Sequence, residues 1–281
     1  MEDTLSYKSY LKSPIRSIKH STYFDTYDDL FSRYRNKEIT FVEIGVAAGG
    51  SLFMWRDFFG TKARIIGIDF NPNAKIWEKD GFEIFIGSQS DESFWQDFIK
   101  KVGAVDIVLD DGGHTFEQQI ITTELLLDNI KDDGVLVVED THTSYMDGFG
   151  NKRFSFISYV SNFIDRINQR FGKFDSSYAD NRVWSIQIYE SIVAFHINRK
   201  ASNLKSTNVD NNGGSEYIAK DYRYFDIPVR IWGIRDLVLN FRSRFRLKKF
   251  FQSKCASGEK YVHLEKSNVL HLIPFRLPQL I

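Results

Sequence analysis

Two short stretches concentrate groups that can do chemistry. Asp110-Asp111-Gly112-Gly113-His114 and Glu139-Asp140-Thr141-His142 each follow a run rich in Ile, Val and Leu. Together they bring four carboxylates and two imidazoles to what should be the ends of adjacent strands. Like charges this close cost energy unless a proton or a cation offsets them. Carboxylate oxygens suit Mg²⁺ or Ca²⁺, which leave positions open for substrate oxygens, and no cysteine is nearby for a softer metal. A metal of that kind makes a hydroxyl more acidic, and His114, three residues past Asp111, could take its proton. This is chemistry for making an oxygen nucleophile. The alternative is that Asp111 and Asp140 cap the following turns and that the histidines are surface residues.

A second set of residues suits a nucleoside ligand. Glu43-Ile44-Gly45-Val46-Ala47-Ala48-Gly49-Gly50-Ser51 reads as a strand, a glycine turn and a helix start. Its Gly-x-x-x-Gly-Gly spacing departs from the dinucleotide Gly-x-Gly-x-x-Gly, and Glu43 would repel a pyrophosphate. The turn suits a ligand with an ammonium or hydroxyls, or is a plain tight turn. Asp69 closes the next strand, where a carboxylate can accept both hydroxyls of a ribose. Ser88 and Gln89, after the third strand, are small and polar and suit the edge of an adenine.

These positions imply the elements that must hold them. Ile39–Gly45, Ala63–Asp69, Phe82–Ile86, Val105–Asp110 and Gly134–Glu139 read as strands. Helical patterns over Ser51–Phe59, Ser90–Lys101 and Thr115–Ile130 separate them, with Ser90 or Ser93 as the cap of the second. Strands alternating with helices predict βαβ units, a parallel sheet, and ligands beyond the carboxyl ends of its strands. Phe154–Phe171 has an apolar stripe at helical spacing. Val183–Tyr189 and Ser191–Ile197 follow with almost no turn between them, so they predict an antiparallel pair at a sheet edge. The fold expected is a doubly wound, Rossmann-like α/β sheet of seven strands with an antiparallel edge pair. A helical N-terminal segment (1–37) precedes this domain (38–200), and an extension (201–281) of unassigned role follows.

Composition narrows the classes. The chain has 281 residues, with 37 Lys+Arg balanced by 37 Asp+Glu, so no basic excess points to nucleic acid. A single cysteine, Cys255, rules out an internal disulfide and fits a reducing cytoplasm. No apolar run approaches the roughly 20 residues of a transmembrane helix, and Met1–Tyr10 has no apolar stretch of a signal peptide. Residues 241–254 carry six basic side chains and no acid, and read as a solvated helix face or as a weak contact with anionic lipid. Ile234, Leu237, Val238, Phe241 and Phe245 form a helical stripe suited to a core or a subunit contact. Homo-oligomerisation is a default expectation.

The motifs resemble a known family. Val42-Glu43-Ile44-Gly45, Gly49-Gly50-Ser51-Leu52, Ile66-Gly67-Ile68-Asp69, Gly87-Ser88-Gln89-Ser90-Asp91, Asp110-Asp111-Gly112-Gly113-His114 and Glu139-Asp140-Thr141-His142-Thr143-Ser144-Tyr145 look like class I S-adenosylmethionine (SAM) methyltransferases. The match is with the metal-dependent macrolide sugar O-methyltransferases and the proteins called cephalosporin hydroxylases. It spans about Lys19 to Lys200 and includes the late strand pair. The resemblance implies that Glu43 and the Gly45–Ser51 turn, with Gly49, hold the methionyl part of SAM. It places Asp69 on the ribose, Ser88 or Gln89 near the adenine, and Asp110 in the cofactor site. Asp111, Glu139 and Asp140 would bind Mg²⁺, His114 would be the general base beside Asp111, and His142 and Tyr145 would line the acceptor pocket. The implied acceptor is a small molecule or glycan bearing a sugar hydroxyl. A phenol or polyketide alcohol, or a non-catalytic SAM-fold partner, stays open. In Lys19–Tyr27, Thr22 stands where the family's histidine before Tyr23 is expected.

Overall fold

A computed structural model describes residues 1–171 and 178–214. The chain divides into two compact units, Met1–Thr207 and Asn208–Ile281. The stripe from Ile234 and the basic segment 241–254 lie outside the described residues.

The first unit opens with α1 (Leu5–Leu11) and α2 (Tyr23–Phe31). There follow β1 (Thr40–Ile44), α3 (Gly50–Phe59), β2 (Arg64–Asp69) and β3 (Glu83–Ile86). Next come α4 (Glu92–Val102), β4 (Val105–Asp110), α5 (Phe116–Leu126) and β5 (Ile130–Val138). The last elements are α6 (Phe156–Asn168), β6 (Ser185–Tyr189), β7 (Ile192–His196) and the short α7 (Arg199–Ser202). The strands form one sheet of seven, in the order β3-β2-β1-β4-β5-β7-β6. β1 to β5 are parallel, and β7 and β6 add antiparallel at the edge, as the tight link between them predicts.

The apolar strand residues divide between two faces, as a period of two requires. Phe41, Ile65, Leu109, Val137 and Ala194 pack with α2 and α3 in a core of aromatic rings. In it Trp55 meets Tyr27, Phe31, Phe41, Phe58 and Phe59 at centroid separations of 5.0–5.9 Å. On the other face Phe195 meets Phe156 and Phe163 of α6.

Several boundaries differ from the sequence reading. The cap of α4 is Asp91, whose carboxylate accepts from the backbone N–H groups of Ser93 and Phe94; Ser90 and Ser93 do not fill that position. A carboxylate at a helix start also meets the positive end of the helix dipole. α5 ends at Leu126 rather than Ile130, because Ile130 is already paired with Val105 of β4. Its start is a capping box, with Thr115 and Gln118 bonding reciprocally. α6 begins after Ser155, which caps it, rather than at Phe154.

Candidate active site

The carboxyl ends of β1, β2, β4 and β5 converge, and with them every stretch singled out above. β1 runs into the glycine turn. Gly45 has φ +92°, and a Cβ there would lie 2.0 Å from the carbonyl oxygen of Asp111. The turn therefore packs directly on the loop after β4. Gly49 has φ +89° and would collide with the Trp77 ring.

Glu43 lies beneath this turn. It is fully buried, and its two oxygens accept from Ser51 Oγ at 2.8 Å and Trp55 Nε1 at 3.0 Å. Burial pushes its carboxyl up to about 7, against the pull of Lys19. Glu43 and Ser51 thus brace the turn from inside. Asp69 accepts from the backbone N–H of Ala47 at 2.9 Å and of Asn71 at 2.7 Å, which ties the end of β2 to the same turn. Ser88 Oγ accepts from the N–H of Ser90. Gln89 is buried and spends its amide inside the chain. It donates to Asp110 Oδ1 and Thr122 Oγ1 and accepts from the N–H of Gly113. Asp110 Oδ1 also accepts from Gly112, while its Oδ2 is buried with no hydrogen-bond partner among the described residues. Burial pushes this carboxyl up to about 7.

The acidic cluster lies at the ends of β4 and β5. His114 Nε2 is 3.8 Å from Asp111 Oδ1 and 3.4 Å from Asp140 Oδ2. Ligand atoms of Asp111, His114 and Asp140 all lie within 4.8 Å of one another, close enough to share one ion. His20, Asp140 and His142 form a second such group. Glu139 is not in either group. It is fully buried and accepts from Tyr27 at 2.5 Å and Lys19 at 3.0 Å. Lys19 Nζ also lies 2.5 Å from Asp111 Oδ2. Burial pulls the Lys19 ammonium down, but Asp111 and Glu139 outweigh it and hold the group well above its usual range. Tyr23 donates to Asp140 Oδ1 at 2.5 Å. His142 Nδ1 bonds Ser191 Oγ, and Tyr145 is 70% exposed at the rim.

The backbone is strained where these groups meet. Of the seven non-glycine residues with positive φ among those described, four are Ala47, His114, Asp140 and Ser191, all in or against this site. Such conformations cost on the order of 1–3 kcal/mol each and persist only where surrounding structure imposes them.

Sequence reasoning missed Lys19, Tyr23, Tyr27 and Ser191. The first three recur every fourth residue, and each reaches a carboxylate at the end of β4 or β5. The spacing was the available signal. The position directly before Tyr23 is Thr22, and His20, two residues earlier, has its Nε2 3.9 Å from Asp140 Oδ1.

Known proteins share this fold and part of this sequence. A family model described as a methyltransferase domain matches residues 42–141. The demethylmacrocin O-methyltransferase of Streptomyces fradiae is 29% identical over 183 residues, covering 59% of this chain and 46% of its own. The mycinamicin VI 2''-O-methyltransferase of Micromonospora griseorubida is 33% identical over 133 residues, 45% of this chain and 33% of its own. The chain spans less than half the length of these curated relatives. Among solved structures, the MycE methyltransferase of the mycinamycin biosynthetic pathway, in complex with Mg, SAH and mycinamycin VI, superposes with a TM-score of 0.61 at 25% identity. That match covers 77% of this chain and 56% of MycE. Residues 42–141 thus match a methyltransferase domain, set in a Rossmann-like sheet, and the chain resembles the macrolide sugar O-methyltransferases.

Proposed function

We propose that this chain transfers a methyl group from SAM to a hydroxyl of a sugar carried by a small molecule or glycan. The observation that carries the reading is the convergence of Asp111, His114 and Asp140 beside the glycine turn. Two further relatives from Streptomyces olivaceus, named as 3'- and 2'-O-methyltransferases of rhamnosyl-bearing tetracenomycin C, support the sugar as acceptor.

SAM, when bound, supplies a methyl on a sulfonium, which leaves as a neutral thioether. The Gly45–Ser51 turn, braced by Glu43, offers it backbone N–H groups at the start of α3. In this reading Asp69 takes the ribose hydroxyls, and Ser88 meets the adenine side. The buried Asp110 Oδ2, without a partner among the described residues, fits a donor from a ligand. Gln89 holds Asp110 and Gly113 in place rather than facing a ligand.

The donor set also fits Mg²⁺. Mg²⁺, when bound by Asp111, Glu139 and Asp140, would supply positive charge that makes an acceptor hydroxyl more acidic. His114 stays free of that role, because Mg²⁺ prefers oxygen ligands. Its Nε2 takes the hydroxyl proton, and Asp111 and Asp140 attract the charge that the ring gains. His142 and Tyr145 line the side from which an acceptor can approach. Holding the hydroxyl in line with the methyl supplies much of the rate.

The test is incubation with SAM, Mg²⁺ and a panel of glycosylated macrolides, free sugars and phenols, with the new methyl located by NMR. A methyl on a sugar oxygen is expected. A methyl on a phenol, or none with any acceptor although SAH binds, overturns the sugar reading.

A further inference from the structure

Lys19 occupies an unusual place for a lysine. Its side chain is 3% exposed, and its ammonium bridges two carboxylates from different strands. One, Asp111 Oδ2, is 2.5 Å away; the other, Glu139 Oε2, is 3.0 Å away. Asp111 and Glu139 are two of the three carboxylates read above as Mg²⁺ ligands. The ammonium therefore lies on oxygens that a divalent ion would use. The third carboxylate, Asp140, faces Tyr23 and His114 instead.

The segment that carries Lys19 can let go of it. Residues between α1 and α2 have no regular helix or strand, so few backbone bonds fix their path. They are anchored further back, where Ser13 Oγ donates to the Gly50 carbonyl and Tyr10 donates to the Ser17 carbonyl. Past Ser17, until α2 begins at Tyr23, the segment reaches the site through the Lys19 side chain and through His20, whose exposed ring lies 3.9 Å from Asp140 and edge-on to His142. The segment also crosses the cofactor turn: a Cβ on Gly50 would lie 2.6 Å from the Ile15 carbonyl.

We propose that Lys19 is a built-in counter-cation of the acidic site, and that a divalent ion competes with it for Asp111 and Glu139. Without a metal the ammonium offsets two carboxylates that would otherwise repel each other. When a metal takes those oxygens, Lys19 is displaced by like charge, and residues 14–22 loosen with it. Metal binding is thereby coupled to the N-terminal segment that covers the cofactor turn. The inference rests on the metal reading above.

The test is calorimetric titration of Mg²⁺ into the full chain as wild type, Lys19→Met, Lys19→Arg and Asp111→Asn, with SAH binding as the check on folding. Removing the competing charge should tighten Mg²⁺ binding in Lys19→Met by about fivefold or more. Lys19→Arg should stay near the wild type, and Asp111→Asn should lose binding. If the wild type binds Mg²⁺ and Lys19→Met binds it equally or more weakly, the competition is overturned while the metal reading stands. If neither binds, both are overturned. Should Lys19→Met fail to fold, hydrogen exchange of residues 14–22 in the wild type decides: faster exchange with Mg²⁺ is expected, and unchanged exchange overturns the proposal.

Discussion

His114 sits in the left-handed region, with φ 56°, one residue before the cap of α5. A histidine tolerates that conformation only at a cost, so its ring is aimed by the surrounding loop rather than by local preference. The ring faces two carboxylates through Nε2, and its Nδ1 is buried without a partner among the described residues. If it takes the acceptor proton, His114→Ala should lower kcat by roughly 10²–10⁴-fold. SAH affinity, measured by calorimetry, should stay within about twofold, because the ring faces Asp111 and Asp140 and its loss leaves the backbone of both loops in place. A variant with normal turnover would remove His114 from the mechanism. Asp140 poses a different question, since one of its oxygens faces His114 and the other Tyr23. Asp140→Asn keeps the shape and removes the charge, so magnesium should no longer raise the rate. A magnesium response equal to the wild type would exclude Asp140 as a ligand.

The central strands β1, β2, β4 and β5 announce themselves because each holds a short Ile/Val-rich run that is buried on both faces, and the site residues follow where those runs stop. That is why Asp69, Asp110, Asp111, Glu139 and Asp140 could be placed at one sheet edge without any coordinates. Direction along a strand is local information; partnership is not. Lys19 and its two carboxylates are 92 and 120 residues apart, and Tyr27 and Glu139 are 112 apart. Nothing local marks such pairs beyond the spacing of four. Gln89 illustrates the same limit: its position beside a nucleoside site suggested a ligand contact, yet three bonds commit its amide to the chain. The junction of elements is most exposed to test at Gly45, where the turn after β1 touches the loop after β4. Gly45→Ala would need a positive φ and would push a Cβ to 2.0 Å from the Asp111 carbonyl. It should cost about 2–4 kcal/mol in urea unfolding and weaken SAH at least about tenfold, through displacement of both loops. Unchanged SAH affinity would mean that the two loops do not jointly form the cofactor site.

Over the whole molecule, burial moves several groups in opposite directions, and their sum sets how stability responds to acid. Glu43 and Asp110 are pushed up to about 7, so the folded chain takes up their protons before the unfolded chain does. Acidification from about 7 toward the usual carboxylate range therefore favours folding through them. His196 at the end of β7 does the reverse. Burial, helped by the charge of Arg33 and opposed by Asp29, lowers its imidazole from 6.5 to about 4. Between those values the unfolded chain holds the extra proton, so His196 favours folding above pH 6.5 and withdraws that support as the pH falls toward 4. The ring is half-buried and bonded to Gln187, so a loss of about 1–2 kcal/mol is expected rather than the full linkage value. Urea unfolding of the wild type and His196→Gln at pH 7 and pH 5 isolates this contribution, because the buried carboxylates act equally on both. The wild type should lose more stability than the variant over that interval. Equal losses would show that the β7 histidine is hydrated enough to titrate as it does in the unfolded chain, and that the edge pair is less tightly closed than its packing against β5 indicates.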